Sequence, residues 1–96
     1  MNARKVLLID DDEAVVSYLA VKLGKHYDVV STTDSRFAVA MATQERPDVV
    51  LCDIDMPHLT GGEVAAALAG DARTAAIPVV YLTSLVSPEE ARELQG

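Results

Sequence analysis

The side chains best suited to chemistry in this sequence are carboxylates that follow two short apolar runs. The first run leads into an acidic stretch at residues 10–13 that begins with Asp10 and Asp11, and a later run leads into Asp53 and Asp55. Like charges about 4 Å apart repel by roughly 4 kcal/mol at an effective dielectric constant of 20. If these carboxylates converge, the cluster therefore needs a cation or a bound proton.

The ligand types in this cluster favour magnesium. All the candidate ligands are oxygens with no paired His or Cys, which favours a hard cation, and Mg²⁺ is held by few protein ligands and several waters. A fourth apolar run ends in the hydroxyl residues Thr83 and Ser84. A magnesium ion beside an Asp and a Thr hydroxyl suits phosphoryl transfer, because the ion neutralises developing charge and a carboxylate can act as nucleophile.

Several nearby residues have a simpler interpretation. Acidic side chains are favoured at helix N-termini, so Asp12, Glu13 and Glu63 are interpreted as helix-start residues. Cys52 is interpreted as a small buried apolar residue, and His58 as an ordinary loop residue.

Four apolar runs of about four residues are predicted to be the strands that position these groups. None of them alternates with polar residues, which is typical of strands buried on both faces of a parallel sheet. They occupy residues 6–9, 27–30, 49–52 and 79–82.

Helical signals fill the stretches between the runs. The first helix is predicted to stop at Gly24. The second is predicted to start at Asp34 or Ser35 and to end near Arg46, because Pro47 disfavours helix just before it. Its predicted apolar face contains Phe37, Ala40 and Met41.

Capping signals define the last two predicted helices. Thr60 and Glu63 have the spacing of a capping box, and Gly70 supplies a stop. Ser87 and Pro88 start a fourth helix.

The alternation of strands and helices predicts an α/β fold, a doubly wound parallel sheet. Ligand sites in such sheets lie beyond the carboxyl ends of the strands, where the acidic residues fall. The spacing of the units leaves no room for a fifth βα unit within 96 residues. Either the sheet has four strands, or the chain is incomplete.

The charge balance excludes several partners. Fifteen acidic residues against eight basic ones give a net charge of −7, which disfavours direct contact with nucleic acid or an acidic membrane surface.

The single cysteine cannot form an intrachain disulfide. No apolar run is long enough for a membrane span or a signal peptide. We therefore expect a cytoplasmic domain.

The sequence resembles the receiver domains of two-component response regulators. Three matching segments carry the resemblance, together with Gly61: VLLIDDDE at residues 6–13, VLCDIDMP at residues 50–57, and PVVYLTS at residues 78–84. They occur in the order and with the spacing of that family.

The resemblance implies a role for each matching residue. Asp53 would be the phosphorylated aspartate, and Asp11 would bind Mg²⁺ directly, with Asp10 helping through a water or by orienting it. The backbone carbonyl of Asp55 would be a further ligand, and Thr83 would be the switch hydroxyl. Gly61 would let the loop after the phosphorylated aspartate bend.

The resemblance also implies a signalling role. A sensor histidine kinase or a phosphotransfer protein would donate the phosphoryl group. The chain would catalyse only its own phosphorylation and dephosphorylation, and is therefore not expected to be an enzyme with a separate substrate.

The family architecture implies a strand order of 2-1-3-4 with the fifth βα unit missing, so residues 1–96 would form one receiver domain, incomplete at its C-terminus. The lysine and the switch aromatic that the family carries on its fifth strand would be absent. A bare fourth strand is a template for pairing, so we expect a homodimer or a swapped element through the fourth strand and helix.

Two other functions stay open at this point. Asp53-Ile54-Asp55 also fits the Asp-x-Asp of haloacid dehalogenase-type phosphatases, although that motif belongs to the first strand there. A degenerate receiver that acts only by protein–protein interaction is the other alternative.

Overall fold

The computed structural model describes residues 4–82 of the chain. Strands and helices alternate in the predicted order. They are β1 (Lys5–Ile9), α1 (Glu13–Leu23), β2 (Asp28–Thr32), a 3₁₀ turn (Ser35–Phe37), α2 (Ala38–Glu45), β3 (Val49–Cys52), α3 (Gly61–Ala69) and β4 (Val79–Tyr81). Thr83, Ser84 and the fourth predicted helix lie outside the described residues.

The four strands form one parallel sheet with the order β2-β1-β3-β4. This confirms the predicted doubly wound α/β fold and its strand order. Ile9 lies beside Cys52 in the register of β1 and β3, and the Asp53 N–H donates to the Ile9 carbonyl at 2.8 Å. The two strands therefore end at the same level, and the residues that follow them start from adjacent points.

The sheet is covered on both faces by aliphatic side chains. On one face, Leu7 and Ile9 pack with residues of α2 and α3, and Cys52 is fully buried among them. On the other face, Val6 and Leu8 pack with residues of α1. Burial on both sides is the reason that β1 and β3 do not alternate between apolar and polar residues. The prediction of burial on both faces is wrong for β2 and β4, whose residues are exposed or half-buried because these strands have a single partner strand within residues 4–82.

The helix boundaries follow the predicted caps. The Asp12 carboxylate accepts from the Ala14 N–H at 2.9 Å and begins α1. Thr60 and Glu63 form the predicted capping box of α3, in which each side chain accepts from the backbone N–H of the other residue. Gly24 and Gly70 follow the last residues of α1 and α3.

The predicted apolar face of the second helix is wrong. Phe37 is 56% exposed, and Ala40 is also exposed, whereas Ala38 and Ala42 are fully buried. The reason is the 3₁₀ turn, because it places Phe37 before the first residue of α2 and changes which residues face the sheet. Met41 is partly buried against the core, as predicted.

No helix within residues 4–82 is both long and apolar enough to cross a bilayer.

Candidate functional site

Three aspartates meet at the carboxyl ends of β1 and β3. One carboxylate oxygen each from Asp10, Asp11 and Asp53 lies within 4.8 Å of the others. Asp10 is buried, Asp53 is half-buried and Asp11 is exposed. The cluster is thus embedded in the fold on one side and reachable from solvent on the other.

Asp10 is held at the buried side of this cluster. Its Oδ1 accepts a hydrogen bond from the Asp12 N–H at 2.9 Å. The pKa of Asp10 is raised to about 6, chiefly by burial. The nearby charges of Asp53 and Asp11 act in the same direction, and that hydrogen bond opposes them. The group is therefore a carboxylate in an environment that disfavours its charge.

Asp53 has a similar electrostatic environment. Burial raises its pKa, and the charge of Asp11 acts in the same direction. Its Oδ1 accepts from the Ile54 N–H at 2.8 Å, which favours the charged form and orients the carboxylate.

Basic side chains do not relieve this repulsion in the described part of the chain. The ion pairs found within residues 4–82 join Lys5 to Asp28 and Glu45, Arg36 to Asp34, and Arg73 to Asp71, and none includes a member of the cluster. A hard divalent cation fits these residues, since it would satisfy carboxylate oxygens and offset their charge.

The loop between β3 and α3, residues 53–60, passes beside the cluster. Its ends are joined by a hydrogen bond from the Gly61 N–H to the Ile54 carbonyl at 2.7 Å. A Cβ on Gly61 would lie 2.4 Å from the Asp53 carbonyl oxygen. Gly61 is thus required for space, because any side chain at this position would collide with the backbone of the loop.

Asp55 and His58 belong to the loop after β3, whereas Thr83 lies outside the described residues. The Asp55 side chain is exposed and does not join the carboxylate cluster. His58 is exposed and has a left-handed backbone with φ 72°. The residue before Thr83 is Leu82, and its N–H donates to the carbonyl of Cys52 at 3.0 Å. Cys52 in turn directly precedes Asp53 in the sequence.

Ser35 is the residue near the site that sequence reasoning missed. The sequence pattern indicates Ser35 only as a candidate cap, and Asp34 does the capping by accepting from the Arg36 N–H at 2.9 Å. Ser35 is 2% exposed and hydrogen-bonds the β3–α3 loop at Pro57 and Leu59. No local pattern could reveal these contacts, because they join residues more than twenty positions apart.

A cavity at the other end of the sheet is separate from the site. Its volume is about 390 Å³, and it shares no residue with the carboxylate cluster. Its walls include Val6, Leu23, Tyr27 and Val49, so it is largely apolar.

Comparison with known proteins identifies the family. A family model described as "Response regulator receiver domain" matches residues 6–95. The chain is 42% identical over 86 residues to Response regulator PleD of Caulobacter vibrioides, covering 88% of this chain and 19% of PleD. It is 41% identical over 81 residues to Protein PilH of Pseudomonas aeruginosa, covering 83% of this chain and 67% of PilH.

The solved structures agree with these relatives. The chemotaxis response regulator CheY4 of Vibrio cholerae superposes with a TM-score of 0.81 at 32% identity, covering 96% of this chain and 78% of CheY4. The chain spans about a fifth of the length of PleD. The match to the family model and the similarity to PilH show that this chain belongs to the response regulator receiver domain family.

Proposed function

We propose that this chain is a phosphoacceptor: Asp53 accepts a phosphoryl group from a histidine kinase or a phosphotransfer protein, with Mg²⁺ as the required cation. The observation that carries the proposal is the convergence of Asp10, Asp11 and Asp53, whose carboxylate oxygens lie within 4.8 Å of one another. Three acids at adjacent strand ends provide both a cation site and a nucleophile.

The residues divide the work as follows. Asp10, Asp11 and Asp53, together with the Asp55 carbonyl, would hold the ion. When bound, Mg²⁺ supplies positive charge that offsets the carboxylates and the transferring phosphoryl group. The Ile54 N–H holds the Asp53 carboxylate, and the exposed side of the cluster admits the donor.

The transfer exchanges one bond for another. The P–N bond of a phosphohistidine breaks, and its electron pair stays on the imidazole nitrogen while a P–O bond forms to an Asp53 oxygen. Water later attacks the acyl phosphate and releases inorganic phosphate. In this proposal the chain is a cytoplasmic signalling module. The phosphoryl group passes only to and from its own Asp53, so the chain turns over no separate substrate.

Phosphorylation would be communicated through Thr83. The new group adds negative charge and acceptor oxygens beside Cys52 and Asp53. The Thr83 hydroxyl would turn to donate to it, and the region of β4 would shift to alter a surface that a partner recognises.

The edge of β4 that has no partner strand within residues 4–82 supports a second copy of the chain as one partner. Within residues 4–82, β4 pairs only with β3, and Val80 and Tyr81 are 46% and 40% exposed. Such an edge is a template for strand pairing. Sedimentation of the protein should show a dimer, through pairing or a swapped element, and a strictly monomeric chain would contradict this part of the proposal.

Labelling with a small phosphodonor tests the main proposal. The protein is incubated with acetyl phosphate and Mg²⁺, and its intact mass is measured. We expect one added phosphoryl group, which disappears in Asp53→Asn and when Mg²⁺ is chelated. Asp28→Asn removes an exposed charge at the opposite end of the sheet and should label normally.

Labelling together with a phosphate-ester hydrolysis assay separates the alternatives. Sustained turnover of a phosphate ester, with loss of turnover in Asp53→Asn, would indicate a phosphatase. A folded protein that stays unlabelled, also in a longer chain with a fifth βα unit, would indicate a receiver that acts only by protein contact.

A further inference from the structure

Ser35 lies where the turn after β2 meets the loop after β3. Its Oγ donates to the Pro57 carbonyl at 2.7 Å and accepts from the Leu59 N–H at 2.9 Å. These two partners flank His58, which has the left-handed backbone. One buried hydroxyl therefore joins the two residues on either side of this left-handed position.

The hydroxyl is not needed for its own turn. Asp34 caps the 3₁₀ turn, and its carboxylate also receives the Arg36 guanidinium at 2.8 Å. Both hydrogen bonds of the Ser35 side chain therefore serve the β3–α3 loop, which lies 22 and 24 residues further along the chain.

The Ser35 contacts fix the middle of a loop whose ends are already fixed. Asp53 is held at β3, and Gly61 closes the loop on Ile54 at 2.7 Å. Met56 is buried in the core. Without Ser35, the segment from Pro57 to Leu59 loses its tie to the turn after β2.

We propose that Ser35 is a positioning residue for cation binding and phosphoryl transfer at Asp53. It acts by fixing the path of the loop that carries the Asp55 carbonyl, and this inference rests on the proposed phosphoacceptor function. Removing the hydroxyl leaves the partly buried Leu59 N–H and the Pro57 carbonyl without their partner. The loop then samples other paths, and binding of the ion must select the original one.

The expected effect is a loss of Mg²⁺ affinity that excess ion overcomes. For Ser35→Ala we expect the apparent Mg²⁺ dissociation constant to rise about three- to tenfold, which is the effect of losing a buried hydrogen bond. The rate of Asp53 labelling should fall by a similar factor at limiting Mg²⁺ and return close to the wild-type rate at saturating Mg²⁺.

The experiment compares the wild type, Ser35→Ala and a control that loses a buried hydroxyl elsewhere. Mg²⁺ binding is measured by calorimetry, and amide hydrogen exchange of Leu59 is followed by NMR in the metal-free protein. Thr74→Val is the control, because Thr74 is also buried and its hydroxyl donates to the Leu68 carbonyl at 2.7 Å, away from the acidic cluster. Ser35→Cys, whose thiol is a weaker donor, should bind Mg²⁺ with an affinity between those of the wild type and Ser35→Ala. It replaces Ser35→Ala in the comparison if Ser35→Ala does not fold.

The outcomes separate this inference from the proposed function. Faster exchange at Leu59 together with weaker Mg²⁺ binding, in Ser35→Ala but not in Thr74→Val, supports the inference. Unchanged Mg²⁺ binding in Ser35→Ala, or an equal loss in Thr74→Val, overturns it. A wild-type protein that binds Mg²⁺ but never labels at Asp53 overturns the proposed function while leaving the Ser35 result readable.

Discussion

Alanine at Gly61 should destabilise the protein, whereas alanine at the next residue should not. A Cβ at Gly61 would lie 2.4 Å from the Asp53 carbonyl oxygen and 3.0 Å from the Ile54 Cα. Ordinary contacts begin at 3.4 Å, so the backbone would have to move by about 1 Å to make room for the Cβ. At Gly62 the nearest atom is the Thr60 Oγ1 at 3.9 Å, and a methyl group fits without any movement.

The two substitutions should therefore change stability in opposite directions. Forcing a methyl group into packed structure costs about 1–3 kcal/mol. Gly62 lies within α3, where alanine in place of glycine gains about 0.5–1 kcal/mol. The two variants should then differ by roughly 1.5–4 kcal/mol in the free energy of unfolding, which is on the order of 6–32 °C in Tm for a domain of this size.

Urea denaturation and Asp53 labelling, measured on the same samples, check this prediction. Gly61→Ala should also label more slowly, because the displaced backbone belongs to the phosphoacceptor and its loop. Gly62→Ala should label like the wild type. Equal stability of the two variants would refute the steric reasoning, and a destabilised Gly61→Ala protein with normal labelling would refute the link between this contact and the site.

Two further predictions concern charge. Asp10→Asn should stabilise the metal-free protein by up to about 3 kcal/mol at pH 7, since the pKa of Asp10 is raised from 3.8 to about 6. Because the folded pKa lies above the unfolded one, wild-type stability should rise as the pH falls from about 7 to 4. Asp10→Asn should show a smaller rise, to which Asp53, whose pKa is also raised, still contributes. Urea curves across this range that run parallel for the two proteins would contradict it. In the wild type, the pKa of Asp34 is lowered to about 2 by hydrogen bonds that it accepts from the Arg36 side chain and backbone. Arg36→Ala should raise this pKa. In the wild type the stability from this pair is complete above pH 4 and is lost as the pH falls towards 2, and an NMR titration of the Asp34 carboxyl that shows no change in Arg36→Ala would exclude the pair as the cause.

The strands and their order could be predicted because burial on both faces leaves a clear mark on the sequence. Val, Leu and Ile occupy residues 6–9 of β1 and residues 49–51 of β3, and acidic residues follow where each strand ends. Parallel neighbours place their carboxyl ends at one edge, so the meeting of Asp10 with Asp53 follows from topology. The capping box of α3 is equally local, since Thr60 and Glu63 satisfy each other within one turn.

The features that the sequence could not reveal depend on packing between distant segments. The 3₁₀ turn before α2 exposes Phe37 and buries Ala38, although periodicity alone favours the larger side chain for the core. The contact of Ser35 with the β3–α3 loop exists only once β2 and β3 lie in the same sheet. The raised pKa of Asp10 likewise arises from burial by the fold.

Trapping the phosphorylated residue tests the central claim most directly. Borohydride reduces an aspartyl phosphate to homoserine, and peptide mass spectrometry then locates the modified position. After incubation with acetyl phosphate and Mg²⁺, we expect homoserine at position 53 and at none of the neighbouring acids, Asp10, Asp11 and Asp55. Homoserine at another aspartate, or a phosphoryl group that borohydride does not remove, would contradict the assignment of Asp53 as the phosphoacceptor.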